Sequence, residues 1–361
     1  MLILLAGTAV AQIMPITIEP YGGNKRASVS EQIGIVKVEV SYNRPGVKGR
    51  EGKIWGTSVA HYGFVDLGHG TSNGAPWRAG ANENTTISFS HPVYIEGHPL
   101  PAGKYGFFIA LGEKESTLIF SKVNNSWGSF YYDPKEDALR VNVNNRSLDQ
   151  SVERLKYEFI DQTDSTATIA MQWEKRMIPF TVSVERKKLQ MEAFRSDFRT
   201  TRPYFDFDEG VFWAMNNNYG MEEALGWADR AISFRVMGRK NFYTLSAKAM
   251  LLAKMNRMED SKKVMEEALP MGTVQEVHSY GRMLLSQKRN DEAFKVFKMN
   301  YDRSPNEVFT LVGLARGYSA LGEYKKALPL LKTAIGKSPD DINKTNIETM
   351  IRKLEEGKDI N

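Results

Sequence analysis

The chain has 361 residues, of which 42% are hydrophobic and 25% are charged, so it is long enough for two or three domains with proper cores. The absence of cysteine excludes disulfide bonds, a thiol nucleophile and thiolate metal sites. The net charge of +5 is spread over the chain rather than clustered, which argues against nucleic acid as a partner.

An apolar run opens the chain over residues 2–10. Small residues at Ala9 and Ala11 have the spacing that a signal peptidase accepts, and polar Gln12 follows them. The run is shorter than the roughly 20 residues that cross a bilayer, and no other segment approaches that length. We therefore expect residues 1–11 to be a signal peptide and the mature protein to be periplasmic or secreted, without a membrane span. The alternative is an ordinary apolar first strand.

Residues 33–184 show the two-residue period that is typical of half-buried strands. The strand candidates lie at 36–42, 87–89, 105–109, 118–120, 139–143, 155–159, 169–173 and 180–184. Turn signals separate them, as at residues 96–99. Eight or nine short strands without long helices between them predict an antiparallel β-sandwich or barrel over residues 12–188.

Past Arg186 the apolar pattern takes the period of helices, and a self-similar unit appears. Ala293 and Ala327 are 34 residues apart, as are Pro305 and Pro339. A repeat of this length, with small residues where paired helices touch, resembles the tetratricopeptide repeat. The units run over 205–236 in a fainter copy and over 245–268, 277–305 and 311–339, followed by a capping helix at 341–356. An unrelated all-helical domain is the alternative.

The predicted helical domain spans residues 204–361 and follows a linker at 189–203. Tetratricopeptide stacks hold extended peptides or partner segments on their concave face, so we expect a protein or peptide partner there. The basic residues that are candidates for this face are Lys248, Arg282 and Arg316. The methionines that we expect to fill the core are Met250, Met255, Met265 and Met283.

Two segments of the first half are the most informative for function. They are SYNRPGVKGR at 41–50 and WRAGANENTT at 77–86, supported by IEGHPLPAGKY at 95–105 and WGSFYY at 127–132. At these residues the chain resembles a bacterial family of exported domains of unknown function, number 2911, over roughly residues 30–185. The resemblance implies a β-domain and an export signal, but no activity.

The second segment brings an indole face, a five-donor guanidinium and a carboxylate within a few residues of one another. Such a set suits recognition of a small polar or glycan-like ligand. The candidate ligand-binding residues are Trp77, Arg78, Asn82 and Glu83, with Trp127, Tyr131 and Tyr132 as further stacking surface. The alternative is structural, because an Arg–Glu pair and a Trp at a strand entrance also fasten a loop to a sandwich core.

A second hypothesis concerns the histidines, four of which fall close together in the first half with Asp66 among them. Two histidines and a carboxylate suit a borderline metal ion, which makes His61, His69, His91 and Asp66 an alternative metal site. No fixed ligand motif is present, so solvated loop histidines are the other interpretation. The main prediction is an exported, non-catalytic binding protein with no cofactor; the alternative is a metal-assisted hydrolase.

Overall fold

The structure is a computed structural model that describes residues 23–199, 207–233, 235 and 238–361. The chain divides into two compact units, with the boundary between Glu192 and Ala193. We call them the β-unit and the helical unit. The expected signal peptide at residues 1–11 lies outside the described residues.

Ten strands form two antiparallel sheets in the described part of the β-unit. The strands are β1 (Lys25–Ile33), β2 (Val36–Arg44), β3 (Thr85–Phe89), β4 (Val93–Ile95), β5 (His98–Leu100), β6 (Gly103–Ala110), β7 (Glu115–Ser121), β8 (Asp137–Asn144), β9 (Arg146–Gln162) and β10 (Thr166–Ser183). The first sheet has the order β1-β2-β3-β6-β7-β8, and the second has the order β5-β4-β10-β9.

The two sheets share one apolar core, which confirms the antiparallel sandwich. The alternation in β2 buries Val36, Val38 and Val40 and leaves the residues between them more exposed. Phe107 of the first sheet lies with its ring centroid 5.7 Å from that of Phe180 in the second. Aromatic contacts at this distance add to the burial of apolar area, so the sheets are held face to face by interdigitated side chains.

Strand β10 corrects one sequence prediction. The alternation predicts two strands, at 169–173 and 180–184, whereas the structure has one strand of 18 residues. The register with β9 shifts on both sides of Glu174, whose φ is 50°. A bulge of this kind bends a strand without ending it, so the polar residues between the two apolar runs remain within the sheet.

Three strands of the β-unit have little signal in the sequence. β1 is an edge strand with mostly exposed or half-buried residues, so its alternation carries few apolar side chains. β4 and β5 have three residues each and form a hairpin. Glu96 and Gly97 at its turn both have positive φ, as the tight turns that match strand twist require.

Ten α-helices follow in the described residues. They are α1 (Arg186–Arg199), α2 (Phe207–Asn217), α3 (Met221–Ser233), α4 (Phe242–Lys254), α5 (Met258–Ala268), α6 (Val274–Ser286), α7 (Asn290–Arg303), α8 (Val308–Ala320), α9 (Tyr324–Ile335) and α10 (Asp341–Glu355). Among them, none combines the length and the apolar character that crossing a bilayer requires.

From α2 onward the helices form consecutive hairpins, which confirms the tetratricopeptide-like fold class. Small residues allow close approach between them: a Cβ at Gly281 in α6 would lie 2.4 Å from the ring of Phe297 in α7. A Cβ at Gly313 of α8, in the next hairpin, would lie 2.7 Å from the same ring. Small residues therefore lie at the contacts between neighbouring helices.

The linker expected at 189–203 is largely helical. Its described part belongs to α1, and residues 200–203 lie outside the described residues. Leu189 packs into the core of the β-unit, whereas Phe198 packs against Trp227 of α3 with ring centroids 5.0 Å apart. Because both ends of α1 bury apolar side chains, this segment stays helical instead of forming an extended connection.

Candidate functional site

The two informative segments of the β-unit lie side by side because the strands that carry them pair. The segment 41–50 ends β2 and continues into a loop, and the segment 77–86 leads into β3. β2 and β3 are antiparallel with Ser41 opposite Thr86, so the end of one strand meets the beginning of the other.

Close contacts hold these segments together. Asn43 Nδ2 donates a hydrogen bond of 2.8 Å to a carboxylate oxygen of Glu83. A Cβ at Gly80 would lie 2.8 Å from Thr85 Oγ1 and 3.2 Å from the carbonyl oxygen of Asn43. Glycine at position 80 therefore allows the two backbones to approach each other. The carboxylate of Glu83 holds the two segments together through its hydrogen bond with Asn43.

A cleft of about 620 Å³ opens beside this junction. Its volume falls within the roughly 300–1,000 Å³ that is typical of small-molecule sites. The lining residues are Asn24, Pro45, Lys48, Arg50, Ser58, Val59, His61, Leu67, Trp77, Arg78, Ala81, Asn82, Ser129 and Trp173. Both segments contribute to this wall, and among the described lining residues there is no carboxylate.

Trp77 belongs to the wall of the cleft, with only 4% of its surface exposed. Its ring stacks on that of Trp173 at 6.1 Å and meets that of Trp55 edge-on at 6.0 Å. Its backbone also bonds in both directions with Ile109 of β6. The indole is thus held rigidly as part of the core and offers an edge, rather than an open stacking face, to a ligand.

Arg78 is half-buried at the cleft and is held by neutral groups. Its Nη1 donates to the carbonyl oxygen of Asn82 at 3.0 Å, and its Cζ lies 5.2 Å from the ring centre of Phe130. Gly128 makes room for it, since a Cβ there would be 2.6 Å from Cζ. Burial lowers the pKa of Arg78 from its ordinary value, because removal from water disfavours the charged form.

The remaining candidate residues are divided between the cleft and other places. Asn82 lines the cleft, whereas Glu83 does not. Trp127 and Tyr131 are exposed and also lie outside the lining. Tyr132 is buried: its hydroxyl donates to Asp137 at 2.7 Å and accepts from Arg140, which is a structural network.

The alternative metal site is wrong. No group of three or more histidine, aspartate or glutamate side chains within the described ranges is placed to hold a metal ion, and the four proposed ligands all lie in those ranges. His69 packs against the ring of Phe130, and His91 bonds to Ser90. Asp66 accepts from the backbone of Gly68 at 2.8 Å. These contacts direct the side chains to different neighbours, so they do not meet at one point.

His61 alone of those residues lines the cleft. Burial, with a further contribution from the positive charge of Arg78, lowers the pKa of the His61 imidazole below its ordinary value. The ring is therefore neutral at pH 7. Its buried Nδ1 has no hydrogen-bond partner in the described structure.

Several lining residues escape motif reasoning. Lys48 and Arg50 stand in the first segment, but nothing local marks them as cleft residues. Ser58 and Ser129 come from loops, and Trp173 comes from β10, more than 90 positions after Trp77. Within residues 45–50 the sequence shows Lys48 and Arg50 as the two charged residues, but this does not place them at a cleft.

In the helical unit a groove of about 1020 Å³ lies along the first helices of consecutive hairpins. It is lined mostly by α2, α4 and α6, with residues of α5. The lining methionines are Met215, Met250, Met258, Met265 and Met283. Met265 is buried, as expected for core filling, whereas Met250 is exposed within the groove. Methionine is adaptable, and surfaces rich in it suit variable apolar partners.

The basic residues expected on the concave face are divided. Arg282 and Arg316 line a second cavity of about 590 Å³ formed by α6, α8 and α10. Lys248 instead pairs with Asp229 at 2.6 Å. Half-buried Arg316 donates to the carbonyl oxygen of Ile360, so the end of the described chain folds against α8.

The β-unit is similar to one known protein family. Residues 24–182 match the family model described as protein of unknown function, DUF2911. This segment of the chain is similar to that family. The resemblance drawn from the two segments is thereby confirmed, and both walls of the cleft lie within the matched residues.

The helical part has relatives among repeat proteins. Tetratricopeptide repeat protein 8 of Caenorhabditis elegans is 22% identical over 170 residues, which are 46% of this chain and 31% of that protein. The chain thus spans about a third of that relative. Nearly identical TPR-like repeats from Podosopora anserina are 12% identical with a TM-score of 0.31, covering 42% of this chain and 84% of theirs. YrrB, a TPR protein with an unusual peptide-binding site, is 15% identical with a TM-score of 0.25. The match covers 44% of this chain and 97% of YrrB.

Proposed function

We propose that the chain is a non-catalytic binding protein whose β-unit holds a small polar, sugar-like ligand and whose helical unit binds a segment of a partner protein. The observation that supports ligand binding by the β-unit is the convergence of segments 41–50 and 77–86 on one cleft. A cavity of this size with several convergent polar groups is the default candidate for a ligand site.

The composition of the cleft supports a polar ligand. Amide or hydroxyl groups come from Asn24, Ser58, Asn82 and Ser129. These side chains donate and accept hydrogen bonds, which suits a molecule that carries several hydroxyl groups. The tryptophan wall adds a rigid apolar edge against which the polar groups of the loops can orient a ligand.

The test uses four related sugars: glucose, glucosamine, glucuronate and glucose 6-phosphate. Titration calorimetry on the full chain should show binding of at least one of them. Ser58→Trp places a large ring at the cleft and should abolish that binding. Lys53→Trp is the matched control, because Lys53 is exposed in the same loop but does not line the cleft. Binding that survives Ser58→Trp, or no binding of any sugar, would contradict the proposal.

The second half of the proposal rests on the groove of the helical unit. Its methionines and Phe242 present apolar surface, and Lys254 and Gln287 lie among its polar residues. Stacked helical hairpins expose such concave surfaces for extended or helical segments. We propose an apolar peptide segment as the occupant, because apolar area dominates the lining of the groove.

A pair of methionine variants tests the groove in the full chain. Met250→Glu places a charge within the groove, whereas Met271→Glu makes the same change at an exposed methionine outside it. Partner recovery by affinity purification from a native extract should fall about tenfold or more only for Met250→Glu. Equal recovery with both variants would contradict the proposal.

Export is the remaining part of the proposal, and its support is the apolar run before Gln12. Processing would remove residues 1–11, so the mature chain from a cell-envelope fraction should begin at Gln12. Intact-mass measurement of that fraction checks this. A mass that includes the apolar run would contradict signal-peptide cleavage.

A further inference from the structure

The charged groups that line the cleft are all of one sign. Lys48, Arg50 and Arg78 contribute three cations, and the described lining residues include no carboxylate to balance them. Glu153 lies behind the loop, where it accepts the backbone N–H of Lys48 at 3.2 Å, and it does not line the cleft. Clustered charge of one sign in a concave site raises the local concentration of the opposite ion.

The partners that the described residues provide for the two guanidinium groups are neutral. Arg50 donates from Nε to the carbonyl oxygen of Val47 at 2.9 Å and from Nη2 to that of Gly46 at 2.7 Å. Arg78 likewise donates to a carbonyl oxygen and lies over an aromatic ring. These neutral groups fix the orientation of both side chains but do not cancel their charge. By contrast, Arg289 in the helical unit donates to both carboxylate oxygens of Glu292.

One buried donor among the lining residues also lacks a partner. Trp173 Nε1 has no hydrogen-bond partner in the described structure, although Trp173 lines the cleft. Trp173 is 1% exposed, so its indole N–H is also shielded from bulk water. A buried donor without a partner costs about 1–3 kcal/mol, and such atoms are uncommon unless a bound group satisfies them.

We propose that the ligand of the β-unit cleft carries an oxyanion, a phosphate or a carboxylate, which Lys48, Arg50 and Arg78 bind together. The inference rests on the proposed function of the cleft as a ligand site and names the chemistry of its ligand. Guanidinium groups match carboxylate and phosphate oxygens in geometry, and hydrogen bonds between ionised groups are shorter and stronger than neutral ones. The hydroxyl and amide groups of the cleft then bind the uncharged part of the same molecule.

The experiment compares uncharged and anionic probes, and carboxylate with phosphate, on the full chain. Titration calorimetry measures the affinity for glucose, glucuronate, glucose 6-phosphate and inorganic pyrophosphate. We expect the two anionic sugars to bind at least tenfold more tightly than glucose, and their affinity to fall as salt is raised. The ratio between glucuronate and glucose 6-phosphate tells whether the oxyanion is a carboxylate or a phosphate.

Charge-removing variants assign the effect to the cleft. Lys48→Gln removes an exposed cation at the cleft, and it should weaken anion binding tenfold or more. Arg78→Gln should weaken it at least as much, with near-ultraviolet circular dichroism confirming that the tryptophan cluster is intact. Lys53→Gln is the control, since it removes the same charge outside the lining.

Each outcome decides between the two proposals. Glucose binding as tightly as the anionic sugars would overturn the oxyanion inference and leave the sugar-binding proposal standing. Pyrophosphate binding that depends on Lys48, without binding of any sugar, would support the oxyanion and overturn the sugar-like ligand. Equal loss of anion affinity in Lys48→Gln and Lys53→Gln would assign the effect to net charge and overturn the inference. No binding of any probe would overturn both.

Discussion

The two units of the chain are held together over different sequence distances. In the β-unit, Trp77 bonds through its backbone to Ile109 and stacks on Trp173, so one interior joins distant segments. In the helical unit each helix mainly contacts the next one or two. Several of its ion pairs lie within a single turn, as between Arg257 and Asp260.

This difference predicts how far from each site a mutation can still affect it. The cleft of the β-unit depends on segments that only the whole sandwich brings together. A mutation that destabilises the core should therefore also disturb the cleft. The groove of the helical unit is assembled one hairpin at a time, and stability there is a sum of local and nearest-neighbour contributions. We therefore expect a destabilising mutation to affect the whole β-unit, whereas in the helical unit its effect should stay within the neighbouring helices.

The largest expected effect comes from truncating the core ring of Phe107, which is buried on a central strand. Phe107→Ala should lower the free energy of unfolding of the β-unit by about 3–5 kcal/mol. Hydrogen exchange of the full chain should show protection falling together in both sheets. Phe297→Ala is the helical counterpart, and its loss of protection should stay within α6, α7 and α8. Loss across the whole helical unit would contradict the contrast.

The next effect is a dependence on pH that belongs to the helical unit. Burial, with the positive charges of Arg316 and Arg282, lowers the pKa of His278 from 6.5 to about 4. The unfolded chain therefore takes up a proton before the folded chain does. The contribution of His278 to stability is complete above pH 6.5 and decreases as the pH falls to about 4, by on the order of 3 kcal/mol.

Denaturant unfolding followed by helical circular dichroism at several pH values measures this slope. His278→Gln has no proton to take up, so its stability should fall less steeply between pH 6.5 and 4 than that of the original chain. The comparison uses the slopes, because the substitution also changes stability at pH 7. Identical slopes would contradict the assignment to His278.

A smaller effect separates two helical glycines. Gly281→Ala brings a Cβ to 2.4 Å from the ring of Phe297, and overpacking of this kind costs about 1–3 kcal/mol. Gly226→Ala is the control within α3, where no atom lies within 4 Å of the added Cβ. It should stabilise the protein by up to about 1 kcal/mol through helix propensity. Thermal unfolding measures both, and the same sign for both would contradict the packing argument.

The smallest expected effect concerns the start of α4. Asn241 accepts a hydrogen bond from the backbone N–H of Thr244 at 3.0 Å, completing a capping box. Asn241→Ala should cost about 1 kcal/mol, and Asn241→Asp should restore most of it because aspartate accepts the same bond. Exchange rates of the first amides of α4 provide the measurement. A loss of protection in the neighbouring hairpins as well would show longer-range coupling than we expect.

The sequence was most informative where structure is local and periodic. The 34-residue spacing of Ala293 and Ala327 predicts the helical hairpins, because each hairpin buries its small residues against the next one. Alternation at 36–42 likewise predicts β2. It was least informative for β1 and for the bulge at Glu174, since an edge strand needs few apolar residues and a bulge leaves no turn signal.

For the candidate site, the motif residues Trp77, Arg78 and Asn82 could be singled out from the sequence, and the structure places all three at the cleft. Their neighbours could not be predicted. Ser129 and Trp173 reach the cleft from other strands and loops, and no spacing rule links them to position 77. The metal hypothesis was wrong for the same reason, because nearness along a loop does not bring side chains to one point.

By itself, the sequence determined the change from strands to helices, the repeat and the identity of the two segments that flank the cleft. Those features depend on local periodicity and on residue type, which a chain carries before it folds. Folding alone brings three cations and Trp173 to the lining of one cavity, where the indole N–H of Trp173 has no partner among the described residues. Convergence of this kind depends on strand pairing between distant segments, and pairing is decided by the packing of the whole core.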